Sequence, residues 1–355
     1  MEKTITIVIP TYNMERYLER CLNSLIVSDE LMEKLEVLVI NDGSKDCSSE
    51  IAHTYQEKYP QTFRVIDKEN GNYGSCVNRG LMEAKGKYIK ILDADDWFDT
   101  ANLDKLLDAM TQTDADCVMT DMTQVNEKGE TVSTWCYSLP KNSVFSLDEL
   151  TRLPSKELIW MHCVAYRTEN LRRINYHQTE GISYTDQEWI FLPMATCKIF
   201  HYYPLVVYKY LVGRDGQTMD PAVFKKSFWM EIRGTVNMAN HLSQYKKSND
   251  ATYLYLRKRL LSRAMVCYGN YLEKYSMSTC HDEMMVLDDV LKGKLPLLYH
   301  KLDDLKGILP TGKGNANDLR FPRFWIVLIW LWRKEKMPIS SITIRFLVKL
   351  KKCLT

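Results

Sequence analysis

The sequence lacks most of the features that mark an exported, membrane-spanning or nucleic-acid-binding chain. None of its ten cysteines falls in a Cys-x-x-Cys pair, so neither a dithiol redox motif nor a zinc ribbon is expected. A chain of 355 residues buries enough surface to need no disulfide staples. No apolar run exceeds nine residues, 324–332, whereas a membrane-spanning helix needs about 20. Met1-Glu2-Lys3-Thr4 leads straight into a strand-like segment. Without a signal-peptide core, a reducing, cytoplasmic setting is expected. There is no Gly-x-x-x-x-Gly-Lys-[Ser/Thr] loop and no Gly-x-Gly-x-x-Gly between a strand and a helix, which argues against nucleoside triphosphatases and dinucleotide enzymes. No repeat or low-complexity tract is visible. Neither sign of charge dominates, with 47 basic and 45 acidic residues, so nucleic acid is not an expected partner.

What is present is ordered. Residues 5–9, 36–40, 63–66 and 88–92 are short, almost wholly apolar and rich in branched side chains. Between them, apolar residues recur at helical spacing in 17–25, 48–59 and 75–84, and again in 103–110. Such alternation predicts an α/β fold with a mostly parallel sheet sandwiched by helices. Sheets of this kind bind ligands beyond the carboxyl ends of their strands. Polar residues stand there: Pro10-Thr11-Tyr12-Asn13, Asn41-Asp42-Gly43-Ser44, Asp67 to Gly74, and Asp93-Ala94-Asp95-Asp96. The middle of the chain reads as a hairpin near 125–132 and strands at 164–166 and 205–211. From Pro221 the periodicity is helical, over 224–242, 253–271 and 284–291.

Asp93, Asp95 and Asp96 put three carboxylates in four residues at a buried strand end. They repel one another unless a cation sits among them, and hard oxygen ligands suit Mn²⁺ or Mg²⁺. The competing reading is a helix N-cap, although Asp99 or Thr100 could cap the following helix instead. Asp42 could accept a hydrogen bond from a base or a ribose, or simply build an Asp-Gly turn.

In order and spacing the motifs resemble the inverting glycosyltransferases of family 2, with the GT-A fold. The matching runs are Ile7-Val8-Ile9-Pro10-Thr11-Tyr12-Asn13, Val39-Ile40-Asn41-Asp42-Gly43-Ser44-Lys45-Asp46, Glu69 to Gly80, and Ala84 to Trp97. The resemblance covers about residues 3–215. It implies a nucleotide-sugar donor, most often UDP-linked, and a hydroxyl of a glycan or lipid-linked glycan as acceptor. Pro10, Thr11, Tyr12 and Asn13 would wrap the base and Asp42 would hold the base or ribose. Asp93 and Ala94 would face the ribose, and Asp95 would carry the metal. Lys68, Asn72 and Asn78 would add donor contacts, and Arg214 would meet the diphosphate. In Ser183-Tyr184-Thr185-Asp186-Gln187-Glu188, Asp186 aligns with the catalytic base of an inverting transfer. Asn41 and Thr185 stand where acidic residues are usual, and the loop at Asn72 is one residue longer than the common pattern. Glu188 is the rival base. On a helix it would point about 200° from Asp186. His162 could line the acceptor side.

The expected organisation is a catalytic domain over 1–220, its nucleotide-sugar half about 1–120 and its acceptor half about 121–220. A helical region follows over 221–308, then a linker and a basic, aromatic tail over 309–355. Residues 320–355 carry nine Lys or Arg and one Glu beside three tryptophans. That mixture suits a membrane surface, which would put the chain on the inner face. It equally suits a terminal helix packed on the body or on a second copy. Two other functions stay open: a sugar-phosphate nucleotidyltransferase, and a sugar-nucleotide-binding scaffold without turnover.

Overall fold

The computed structural model describes residues 3–152, 159–214, 217, 221–245, 250–273 and 280–302. These fall into two compact units divided at about residue 220. The linker and the basic tail expected over 309–355 lie outside the described residues.

The first unit runs β1 (Ile5–Thr11), α1 (Glu15–Asn23), α2 (Asp29–Met32), β2 (Leu35–Asn41), α3 (Ser48–Lys58), β3 (Phe63–Asp67), α4 (Asn72–Glu83), β4 (Tyr88–Ile91), β5 (Trp97–Phe98) and α5 (Thr100–Met110). It continues with β6 (Cys117–Val125), β7 (Thr131–Trp135), β8 (Ser143–Ser146), α6 (Leu147–Thr151), β9 (Val164–Arg167), α7 (Thr168–Arg173), α8 (Asp186–Trp189), α9 (Leu192–Ala195) and β10 (Ile199–Leu211). The strands form one ten-stranded sheet ordered β3-β2-β1-β4-β9-β6-β10-β5, with β7 beside β6 and β8 beside β10. The first four pair in parallel. Every residue of β1, β2 and β4 is buried, as a parallel sheet covered on both faces requires. Beyond β4 the sheet is mixed, because β9 enters antiparallel to both β4 and β6.

Register delivers the polar loops to one edge. Thr11 pairs with Asn41, and Asn41 with Asp67, so three strands end level. The Asp42 amide donates to the Thr11 carbonyl (2.8 Å), locking the first two loops together. Gly86, which leads into β4, lies flat on β1: a Cβ there would overlap the backbone of Ile5 and Thr6. Gly86→Ala is therefore expected to destabilise the protein by about 2 kcal/mol or more. The reading is a lower urea midpoint at constant m-value, and an unchanged midpoint would contradict the close approach.

Three elements differ from their expected bounds. α4 starts at Asn72 rather than Ser75, because Asn72 takes a left-handed conformation (φ 67°) that turns the glycine loop directly into the helix. β10 begins at Ile199 rather than Leu205 and absorbs its extra length through register shifts against β6. The helix opening at Asp186 is a single turn, and a new one begins at Leu192 with Pro193 in its first turn.

The second unit contains α10 (Pro221–Gln244), α11 (Ala251–Glu273), α12 (His281–Lys294) and α13 (Pro296–Lys301). Phe228, Ile232, Leu256, Leu260, Leu287 and Leu291 fill its core. The buried Asp288 carboxylate accepts from the hydroxyls of Tyr268 (2.7 Å) and Tyr299 (3.1 Å), which meets the requirement that a buried charge be hydrogen-bonded. Among the described residues no helix is long and apolar enough to cross a membrane.

Candidate active site

A cleft of about 330 Å³ opens over the carboxyl ends of the strands in the first unit. Eleven of the residues singled out in the sequence line it: Pro10, Thr11, Tyr12, Asp42, Asn72, Asp93, Ala94, Asp95, His162, Asp186 and Arg214. They come from seven separate places in the chain, brought together by the order and register of the strands.

At one end stands Asp42, almost wholly buried. Its Oδ1 accepts from Lys68 Nζ (2.6 Å) and from the Gly71 amide (3.0 Å). Lys68 Nζ also donates to Ser75 Oγ (2.9 Å) and to the Glu69 carbonyl (2.5 Å). Lys68 thus neutralises and orients Asp42 from behind and does not itself line the cleft. Asn13 is exposed and does not line the cleft either: its Oδ1 accepts from the Lys45 amide (2.8 Å) and its backbone N–H donates to Ser44 Oγ (3.1 Å). Beside Asp42, burial and the Asp42 charge push the Cys76 thiol up to about 12, so it lines the cleft as a neutral group.

The acidic cluster occupies the middle. The helix after it is capped by Asp99, whose side chain accepts from the Asn102 amide. Asp93, Asp95 and Asp96 are thereby free of the capping role. Asp93 Oδ1 accepts from Tyr73 Oη (2.6 Å), and Oδ2 lies 3.5 Å from His162 Nε2. Asp95 Oδ2 pairs with Arg214 Nε at 2.5 Å, and the Asp95 carbonyl accepts from Arg20 (2.9 Å). Asp96 is fully buried, and its two oxygens accept from Tyr208 Oη and the Leu211 amide, both at 2.7 Å. Asp96 therefore fastens β10 to the strand-end loop.

Electrostatics in the cluster are unbalanced. Burial and the charge of Asp93 push the Asp95 carboxyl up, against the pull of Arg214. Burial, then Asp95 and Asp93, push Asp96 up further. Asp93, Asp96 and His162 offer ligand atoms within 4.8 Å of one another, and His162 Nδ1 is a buried nitrogen without a hydrogen-bond partner. Two carboxylates and an imidazole carrying surplus negative charge are a donor set that fits a divalent cation.

Asp186 lines the cleft as the first residue of α8. Glu188, the rival base, faces away: its Oε2 accepts from the Thr179 amide (2.8 Å) and its Oε1 from Thr179 Oγ1 (2.7 Å). Gln178 Nε2 donates to the Thr185 carbonyl (3.0 Å). Asn78 does not line the cleft. Its side chain accepts from the Gln178 amide (2.8 Å) and donates to the Gln178 carbonyl (2.9 Å). Gly74 of α4 lies flush against the Thr179 carbonyl, where no Cβ would fit. Asn78, Gly74 and Glu188 together clamp the loop that presents Asp186.

Tyr73, Tyr210, Ser183 and Gln217 also line the cleft. Burial pushes both tyrosine hydroxyls up, and the charges of Asp93, Asp186 and Asp96 add to it. Both phenols therefore remain neutral donors between the acidic cluster and Asp186. Tyr73 was legible as part of Asn70-Gly71-Asn72-Tyr73-Gly74, but Tyr210 alternates within a long strand and carried no local signal. Of the loop 213–218, the described residues are Gly213, Arg214 and Gln217.

Residues 6–174 match the family model for Glycosyl transferase family 2. Over 95 residues the chain is 42% identical to the uncharacterized glycosyltransferase MG025 homolog of Mycoplasma pneumoniae, a match covering 26% of this chain and 31% of that protein. Over 217 residues it is 30% identical to the uncharacterized glycosyltransferase YibD of Escherichia coli, covering 58% and 60%. The chain thus spans less than two thirds of these curated relatives. In three dimensions it is similar to residues 1–349 of TarS from S. aureus, solved in complex with UDP-GlcNAc. The TM-score is 0.66 and the identity 19%, over 85% of this chain and 83% of that one. At that identity the likeness is one of fold.

Proposed function

We infer, from a chain that belongs to glycosyltransferase family 2 through residues 6–174 and has the GT-A fold, that it transfers a sugar with inversion from a UDP-linked donor to a hydroxyl of a glycan or lipid-linked glycan. The observation that carries this reading is that Asp42, Asp95, Arg214 and Asp186 line a single cleft. A nucleotide-binding end, a diphosphate-binding middle and a base are the parts such a transfer needs.

The base of the nucleotide would lie along Pro10, Thr11 and Tyr12. Asp42 Oδ1 accepts from Lys68 and the Gly71 amide, the Cys76 thiol also bonds this carboxylate, and a carboxylate lining the cleft would accept an N–H of the base. The imide N–H of uracil satisfies such an acceptor, whereas the ring nitrogen N3 of cytosine, itself an acceptor, does not. Asp95 would hold a divalent ion, Mn²⁺ or Mg²⁺, although the donor atoms that converge are those of Asp93, Asp96 and His162. Such an ion, when bound, supplies positive charge to the diphosphate. Arg214, which pairs with Asp95 at 2.5 Å, would neutralise the departing diphosphate, where charge develops as the anomeric bond breaks. Asp186 accepts the proton of the acceptor hydroxyl while its oxygen forms the new bond to the anomeric carbon. The anomeric carbon–phosphate oxygen bond breaks in the same displacement and UDP leaves, so an α-linked donor gives a β-linked product. A nucleotidyltransferase needs no carboxylate base at the position of Asp186, and a scaffold without turnover needs none at all.

A thermal-shift comparison tests the donor. UDP or a UDP-sugar at about 100 times its Kd stabilises by about 2.7 kcal/mol, a rise of several degrees in Tm. The rise is expected with Mn²⁺, to fall sharply without it, and to vanish in Asp42→Asn. Equal shifts from CDP and UDP, or a full shift in Asp42→Asn, would reject this base-binding end.

A further inference from the structure

Lys90 lies on β4, three residues before Asp93, and is only 2% exposed. Its ammonium donates to the carbonyls of His162 (2.5 Å) and Val164 (3.3 Å). It also sits over the rings of Tyr208 (5.8 Å) and Phe98 (5.9 Å). Two carbonyls and two ring faces are weak compensation for taking an ammonium out of water. The strain is visible in its acidity, which burial moves down to about 8.

The location accounts for such a costly group. β9 pairs with β4 at Tyr88↔Arg167 and Ile89↔Tyr166, and the ladder stops there. Lys90 is the next residue. The carbonyls it takes flank Cys163, where the chain enters β9 from the turn Met161–Cys163. That turn carries His162 into the cleft. The His162 ring packs edge-on to Tyr208 (4.7 Å between centroids) and tilted on Tyr210 (4.9 Å), with Nε2 facing Asp93. One ammonium therefore fixes both the backbone of His162 and the place where β4 and β9 part.

We propose that Lys90 is a positioning residue of the transfer site, which sets the His162 imidazole against Asp93 and so fixes the wall met by the diphosphate and sugar of the donor. This rests on the transfer reading above. Lys90 itself touches neither donor nor acceptor and acts through His162. A small displacement of that wall is enough to slow the reaction, since misplacement by about 1 Å can cost about a hundredfold.

The test is a double-mutant cycle in the full chain. Lys90→Met keeps an unbranched side chain, one atom shorter, and removes the charge and the donor. It is expected to lower kcat by about tenfold to a hundredfold while UDP affinity, measured by calorimetry, stays within about twofold. The variant carrying both Lys90→Met and His162→Gln should be no slower than His162→Gln alone. Multiplying losses would overturn the proposal, because a merely structural lysine would add its effect to that of His162. So would a loss of UDP affinity equal to the loss in kcat. Should Lys90→Met fail to fold, Lys90→Leu, which also removes the ammonium and its donation to both carbonyls, enters the same cycle with the same readings. Asp186→Asn retaining full turnover in this assay would reject the transfer reading and this inference with it. Multiplying losses in an enzyme that Asp186→Asn silences reject the role of Lys90 alone.

Discussion

Asp186→Asn is expected to reduce kcat by about two to four orders of magnitude, the usual contribution of a positioned general base, with UDP affinity unchanged. The physical reason is a division of roles, with the base used on the acceptor proton and not on the nucleotide. Asp186 and Asp42 stand on different loops of the cleft: Asp42 is tied to Lys68 and the Gly71 amide, whereas Asp186 opens α8. The amide is nearly isosteric with the carboxylate and cannot take the acceptor proton. Loss in kcat without loss of donor binding is the signature of a group used only in the transition state. Glu188→Gln is the informative comparison. Glu188 holds Thr179 through both carboxylate oxygens, so this substitution should lower Tm and leave a slower but active enzyme. An Asp186→Asn enzyme that loses UDP binding in step with kcat would remove Asp186 from the role of base. If Glu188→Gln proved the inactive variant instead, the two roles would have to be exchanged.

Asp95→Ala carries the second large effect. Metal-dependent binding of UDP should weaken by at least about a hundredfold, beyond the usual penalty for losing a residue that merely supports a ligand. The Mn²⁺-dependent part of the thermal shift should disappear. Asp95 is the carboxylate paired with Arg214, and burial together with Asp93 already opposes its ionisation. Removing it leaves Arg214 without that partner and the cluster with one charge fewer. Weak UDP binding that no longer responds to Mn²⁺ is the expected residue of activity, measured by calorimetry with and without EDTA. Metal-stimulated turnover in Asp95→Ala at the rate of the unsubstituted enzyme would exclude Asp95 as the residue that holds the ion.

Glu188 also illustrates how far the sequence can be read. Helical geometry alone separates it from Asp186 by about 200°, and the structure turns it to Thr179. The expectation that Asp99 could cap the helix after the acidic cluster likewise follows from local preference, and the Asn102 amide does bond to it. Lys68, Asn13 and Asn78 mark the limit. Lys68 and Asn13 stand in polar loops and Asn78 on a helix beside true cleft residues, and nothing local distinguishes a side chain that lines a cavity from one that braces its wall. Lys68 braces Asp42, Asn13 joins two loops, and Asn78 holds the segment before Asp186. Tyr210 and Lys90 were silent for the same reason. Each occupies one position of a strand whose pattern reads only as buried or half-buried.

The amino-acid sequence alone determined the alternation of buried strands with helices, and with it the edge of the sheet where polar chemistry had to appear. A strand covered on both faces leaves its carboxyl end as the place where a carboxylate can meet a ligand. Only the tertiary structure decided which carboxylates share one cavity and which side chains hold them there. Asp95 meets Arg214 across 119 positions and Lys90 meets His162 across 72. Contacts of that span arise from strand order and register, which local periodicity does not encode.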